Sequence, residues 1–107
     1  MITIGMYYDV LPGKESAFEE KFSGVIGLLR QGFPGHKQSF LYKRVDDAGS
    51  YAIISEWDAQ DDFTKFMKSD AFRSVADWGK AEILRGRPRH HVYQTSPMGP
   101  MGGPPKG

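Results

Sequence analysis

A chain of 107 residues, 39% hydrophobic and 25% charged, has room for one domain with a small packed core and none for a second. Its 14 basic and 13 acidic side chains are interspersed for a net charge of +1, which excludes the basic stripe that a nucleic-acid surface needs. The absence of cysteine excludes disulfides, thiolate nucleophiles and zinc–thiolate sites. No apolar run approaches the ~18 residues of a membrane span, and MITIGMYYDV lacks a signal-peptide pattern, so a soluble cytoplasmic protein with no membrane partner is expected. So small a core leaves apolar surface uncovered, which predicts pairing with a second copy of the chain.

Residues 2 to 11 alternate Ile2, Ile4, Met6, Tyr8 and Val10 against Thr3, Gly5, Tyr7 and Asp9, the period of two expected of a half-buried strand. Pro12-Gly13 ends it. From 14 to 31, Phe18, Phe22, Val25 and Leu29 recur at intervals of four, three and four, which predicts an amphipathic helix. Ser16 and Glu19 have capping-box spacing at its start, and Gly32 suits its end. Gly24 and Gly27 each cost that helix ~1 kcal/mol against alanine, a cost explained if they permit close approach to a sheet or leave space for a ligand.

After the breaker GFPGH, residues 37 to 45 read as a strand, DDAGS as a turn and 51 to 57 as a second strand, an antiparallel hairpin by its short connection. Asp58 is the expected N-cap of the next helix, with Asp61 beside its positive end. Phe63, Phe66 and Met67 form one helical face. Ser69-Asp70 restarts the helix, and Phe72, Val75, Gly79 and Ile83 carry the apolar stripe onward, with Trp78 at its edge, until Gly86 and Pro88 stop it. Residues 87 to 94 are the last predicted strand. Strand, helix, strand, strand, helix, strand is the order of a ferredoxin-like α+β sandwich, a four-stranded antiparallel sheet with helices on one face. The bare, partly apolar face predicts a face-to-face homodimer. Residues 1 to 94 make this domain, and 95 to 107, rich in Gly and Pro, are expected to be a flexible tail.

The residues that carry chemistry are few. His36, His90 and His91 do not have metal-ligand spacing, because adjacent strand histidines point to opposite faces, and which of His90 and His91 points inward depends on strand register. Arg85, Arg87 and Arg89 read as a solvated strand end. Asp58, Asp61 and Asp62 read as helix-start charges. No serine stands in a nucleophile elbow and no phosphate-cradling loop occurs. Tyr8, Trp57, Phe63, Phe66, Phe72 and Trp78 would face one another across the sandwich, as core and as the lining of a flat apolar slot.

The stretches YYDVLPGKESAFEEKF, IISEWDAQDDFTKFMKSDAF and RHHVYQ, spread over about residues 2 to 94, resemble the antibiotic biosynthesis monooxygenase (ABM) domains of the dimeric α+β barrel superfamily. The resemblance implies a homodimer with its two sheets face to face and, in each subunit, a pocket between sheet and helices for a small aromatic molecule. Members of that family include cofactor-independent monooxygenases, whose deprotonated phenol, anthrone or quinol substrate itself reduces dioxygen; others bind and break down heme. The expected function is therefore a cofactor-independent monooxygenase of a planar aromatic or quinol-type substrate, with a non-catalytic ligand-binding or heme-binding dimer as the alternative. Where the anthrone oxygenases carry asparagine, tryptophan, tyrosine and arginine, this sequence has Ile53, Trp57, Phe63 and Asp77. Where the heme degraders carry asparagine, tryptophan and histidine, it has Met6, Phe66 and Ala76. On this resemblance Met6, Trp57, Phe66 and Trp78 wall the pocket, and Tyr8 and His91 are the polar groups that orient or deprotonate the substrate.

Overall fold

Alternation and helical stripe translate into seven elements in the computed structural model, which describes residues 1–94; the expected tail lies outside the described residues. They are β1 (Ile2–Asp9), α1 (Glu15–Gln31), β2 (His36–Lys43), β3 (Ser50–Trp57), α2 (Gln60–Met67), α3 (Asp70–Glu82) and β4 (Arg89–Gln94). The strands pair antiparallel in the order β2-β3-β1-β4, the expected α+β ferredoxin-like sheet. The predicted strand bounds shift by a residue or two. Val10 leaves β1 for an isolated bridge to Leu84, and a bulge between His36 and Gln38 starts β2 earlier than predicted.

Period-two patterning decides which side chains meet the helices. Ile4, Met6 and Tyr8 of β1 and Tyr51, Ile53 and Trp57 of β3 are buried on one face, where Phe18, Phe22, Val25 and Leu29 of α1 cover them as the stripe predicts. Each such side chain contributes about 1.5–3 kcal/mol by leaving water. Ile26 joins them, so the buried stripe of α1 is one residue wider than the predicted spacing. Gly24 and Gly27 meet nothing on the side where a β-carbon would project, so neither mediates a close approach to the sheet. On the opposite, helix-free face Phe40, Tyr42 and Tyr93 remain 42%, 53% and 47% exposed.

Helix starts differ from expectation in two places. Lys14 occupies the N-cap of α1 with no side-chain cap bond, its ammonium having no acceptor; Ser16 lies inside the helix, and Glu19 accepts a hydrogen bond from the Tyr51 hydroxyl and sits 3.6 Å from Lys43 Nζ. Ala59, not Asp58, is the N-cap of α2; Asp58 is turned to Lys37 at 3.1 Å. In both cases the carboxylate expected at the helix start pairs with a residue on the sheet instead. Asp61 and Asp62 do lie in the first turn of α2, where they oppose its dipole. Ser69 restarts the helix as predicted, its Oγ accepting from Phe72 N–H at 3.3 Å. At the end of α1, Gly32 adopts φ 127°, a conformation that other residues rarely adopt. Among the described residues no helix is long and apolar enough to cross a membrane.

Candidate ligand cleft

The helices do not cover the sheet evenly. Between α3 and the β1–β4 half of the sheet lies an open cleft of about 730 Å³. Met6 and Tyr8 of β1 and Phe22 of α1 form its floor, Phe72, Val75, Ala76 and Gly79 of α3 its roof, and residues 84–90 its mouth. Small side chains explain the opening. Ala76 and Gly79 are three apart and therefore share the α3 face that looks into the cleft, and neither reaches the sheet. Gly79 also ends the helix, its carbonyl accepting from Ile83 and Leu84 N–H at 3.0 and 2.9 Å. The chain then returns along the end of β1, held by Leu11 N–H to Ile83 C=O and Arg85 N–H to Asp9 C=O, both at 2.8 Å. The mouth is thus tied by backbone bonds to the strand that carries Met6 and Tyr8.

Met6, Phe22 and Phe72 also line a second, inner void of about 10 Å³, barely the size of one water. Trp57 and Phe66 border this void and not the cleft. Trp57 is fully buried; its Nε1–H donates to Ser55 Oγ at 2.9 Å, and its ring meets Phe63 and His36 edge-on. Both residues, expected in the pocket wall, lie behind the partition. Trp78 borders neither space: partly buried at the edge of the core, it faces α1, with Lys21 Nζ 5.4 Å from its ring centroid. Of the four expected wall residues only Met6 touches the cleft.

Register settles the histidines. His90 pairs with Met6 and His91 with Gly5, so His90 shares the helix-facing side with Met6 and lines the cleft. His91, the expected catalytic imidazole, is on the other side of the sheet, its ring 5.8 Å from Tyr7 and 6.3 Å from Tyr93. This placement follows from pleating: the parity that aims Tyr8 inward aims His91 outward. Tyr8 lines the cleft, and burial pushes its phenol far above the ordinary value, so it stays neutral and can donate or accept a hydrogen bond but not act as a base. Its hydroxyl is oriented toward Met6 Sδ at 3.7 Å.

The sequence reading missed Ala76, Gly79, Lys80 and Arg87 as cleft residues. A pair of small residues at helical spacing on α3 was the available signal for the roof. Arg85, Arg87 and Arg89 were visible as a cluster, but their convergence with Lys80 needs the turn of residues 83–88. Among the described residues no group of three or more His, Asp or Glu could hold a metal ion. The arrangement can take a flat apolar body between Met6, Tyr8 and Phe72, with one imidazole at its edge.

Residues 1–78 match the family model described as antibiotic biosynthesis monooxygenase. A protein of Haloarcula marismortui named "Putative heme-binding protein" is 42% identical over 88 residues, 82% of this chain and 13% of that relative; the chain thus spans a small fraction of its length. Among solved structures, an antibiotic biosynthesis monooxygenase superposes with a TM-score of 0.82 at 15% identity, over 91% of this chain and 100% of the other. SnoaB of Streptomyces nogalater, a cofactor-independent oxygenase, gives 0.75 at 21% identity, over 89% of this chain and 92% of the other. At such identities the structures share the fold.

Proposed function

The chain belongs to the antibiotic biosynthesis monooxygenase family, and from that premise we propose that it is a monooxygenase that seats a planar aromatic or quinol-type molecule in the α3 cleft and oxidises it with dioxygen, without a bound cofactor. The observation that carries this reading is the cleft itself: about 730 Å³ between sheet and helix, apolar on floor and roof, with His90 at its edge and a neutral phenol, Tyr8, in its wall. His90 takes the substrate proton, and desolvation by Phe22, Phe72 and Val75 favours electron transfer from the resulting carbanion or phenolate to dioxygen. For a methylene between aromatic rings the balance is CH₂ + O₂ → C=O + H₂O, the substrate supplying every electron. Tyr8 orients the substrate oxygen by a hydrogen bond. Oxygen uptake across a panel of hydroquinones and anthrones tests this. His90→Gln is expected to lower the rate ~10²–10⁴-fold and His91→Gln to leave it within about twofold; no turnover above the buffer rate on any substrate removes the enzyme reading.

The same proposal includes a homodimer that covers the helix-free face, supported by the exposed Phe40, Tyr42 and Tyr93 there; a monomer mass in sedimentation equilibrium would remove it. A cytoplasmic setting belongs to it as well, supported by a sequence without cysteine.

One observation favours a second occupant. The Haloarcula relative carries a heme-binding name, and the cleft residues fit heme chemically: His90 as the imidazole ligand, apolar walls for the macrocycle, Lys80 and Arg87 for its carboxylates. Bound heme would supply redox-active iron. Hemin titration is expected to shift the Soret band, and the shift to vanish in His90→Ala while persisting in His36→Ala and His91→Ala. A flat titration discards this occupant.

A further inference from the structure

The mouth of the cleft carries charge out of proportion to the chain. The whole sequence is balanced to +1, yet Lys80, Arg85, Arg87 and Arg89 all border the cleft and no carboxylate does. Two of these cations are partly answered. Arg85 and Arg89 extend toward the Asp9 carboxylate at 4.0 and 3.9 Å, and Asp9 is itself held by the Ser50 hydroxyl at 3.0 Å. Lys80 and Arg87 form no ion pair among the described residues. They come from different elements, the exposed side of α3 and the α3–β4 loop, and the backbone bonds that hold that loop to β1 bring them to one rim.

Cations gathered at the lip of an apolar slot focus positive potential there, because the protein walls polarise less than water. Guanidinium binds carboxylate through two parallel hydrogen bonds, and ammonium adds a compact charge beside it. An uncharged aromatic ligand would use none of this. We infer that the cleft selects a planar aromatic molecule bearing a carboxylate, with its rings against Met6, Tyr8 and Phe72 and its carboxylate at Arg87 and Lys80. The inference rests on the cleft being the ligand site, as proposed above, and narrows the ligand to an anionic class whichever occupant it holds. It also fixes an orientation: the charged end faces solvent, so the rings enter first and lie against Tyr8.

Isothermal titration of the full chain with anthraquinone-2-carboxylate and the neutral anthraquinone-2-carboxamide tests this directly. The acid is expected to bind at least about tenfold more tightly at low salt, and added salt to erode only that advantage. In Lys80→Gln/Arg87→Gln the acid falls to the affinity of the amide, which itself is unchanged. Equal affinity of acid and amide in the native chain overturns the selection while leaving the cleft as a ligand site. A preference for the acid that survives in the double variant also overturns it, because the charge then acts elsewhere. Binding of neither compound overturns the cleft reading and the selection together.

Discussion

The two halves of the helix-facing side of this sheet solve the same packing problem in opposite ways. Under α1 and α2, on the β2–β3 half, Trp57, Phe63 and Phe66 interlock until about 10 Å³ is left. Under α3, on the β1–β4 half, about 730 Å³ stays open. Side-chain volume differs: the closed half faces aromatic rings to aromatic rings, and the open half faces Ala76 and Gly79 to a strand edge whose inward residue is His90. Space for a ligand is therefore left where packing is withheld, and the most conspicuous aromatic residue, Trp57, is packed into the closed half.

The largest way to break this contrast is Trp57→Ala. It removes a fully buried ring and its bond to Ser55, and is expected to cost about 3–5 kcal/mol in denaturant unfolding; a loss below about 1 kcal/mol would show that the closed half is not close-packed. Ala76→Phe fills the open half instead. It is expected to weaken any planar cleft ligand at least tenfold, ~1.4 kcal/mol, while the unfolding midpoint moves by less than the equivalent of ~1 kcal/mol. Unchanged binding would move the ligand site out of the cleft. The smallest effect sits at the margin of the closed half. Burial holds the His36 imidazole below its ordinary pKa, against hydrogen bonds with the backbone of Leu29 and Gln38 that raise it. The unfolded chain then binds this proton more readily, so the contribution of His36 is complete above about pH 6.5 and is lost as pH falls. Comparing denaturant midpoints at about pH 5 and pH 7.5, His36→Asn is expected to flatten the acid-side decline; an identical decline in the variant assigns it to other groups.

The element order was legible from the sequence because strand and helix periods are local properties. Ile4, Met6 and Tyr8 announce β1, and Phe18, Phe22, Val25 and Leu29 announce α1, without reference to anything distant. The caps were misread because the helices start at Glu15 and Gln60, so neither Ser16 nor Asp58 stands at an N-cap; Glu19 and Asp58 turn to Tyr51, Lys43 and Lys37 on the sheet. His90 and His91 were indistinguishable because a strand's period gives alternation but not its phase. Pairing with Met6 and Gly5 gives the phase, and it places the helix-facing imidazole one residue earlier than expected.

Periodicity by itself determined the ferredoxin-like α+β architecture, and the motif around Trp57 its resemblance to the ABM family, because burial patterns are written at spacings of two, three and four residues. Tertiary structure alone decided that Trp57 and Phe66 lie behind a partition, that His90 and not His91 lines the cleft with Tyr8, and that Lys80 joins Arg87 at one rim. Those facts depend on how β4 registers against β1 and how far α3 stands from the sheet, distances fixed by contacts between residues some eighty positions apart and absent from any local window of sequence.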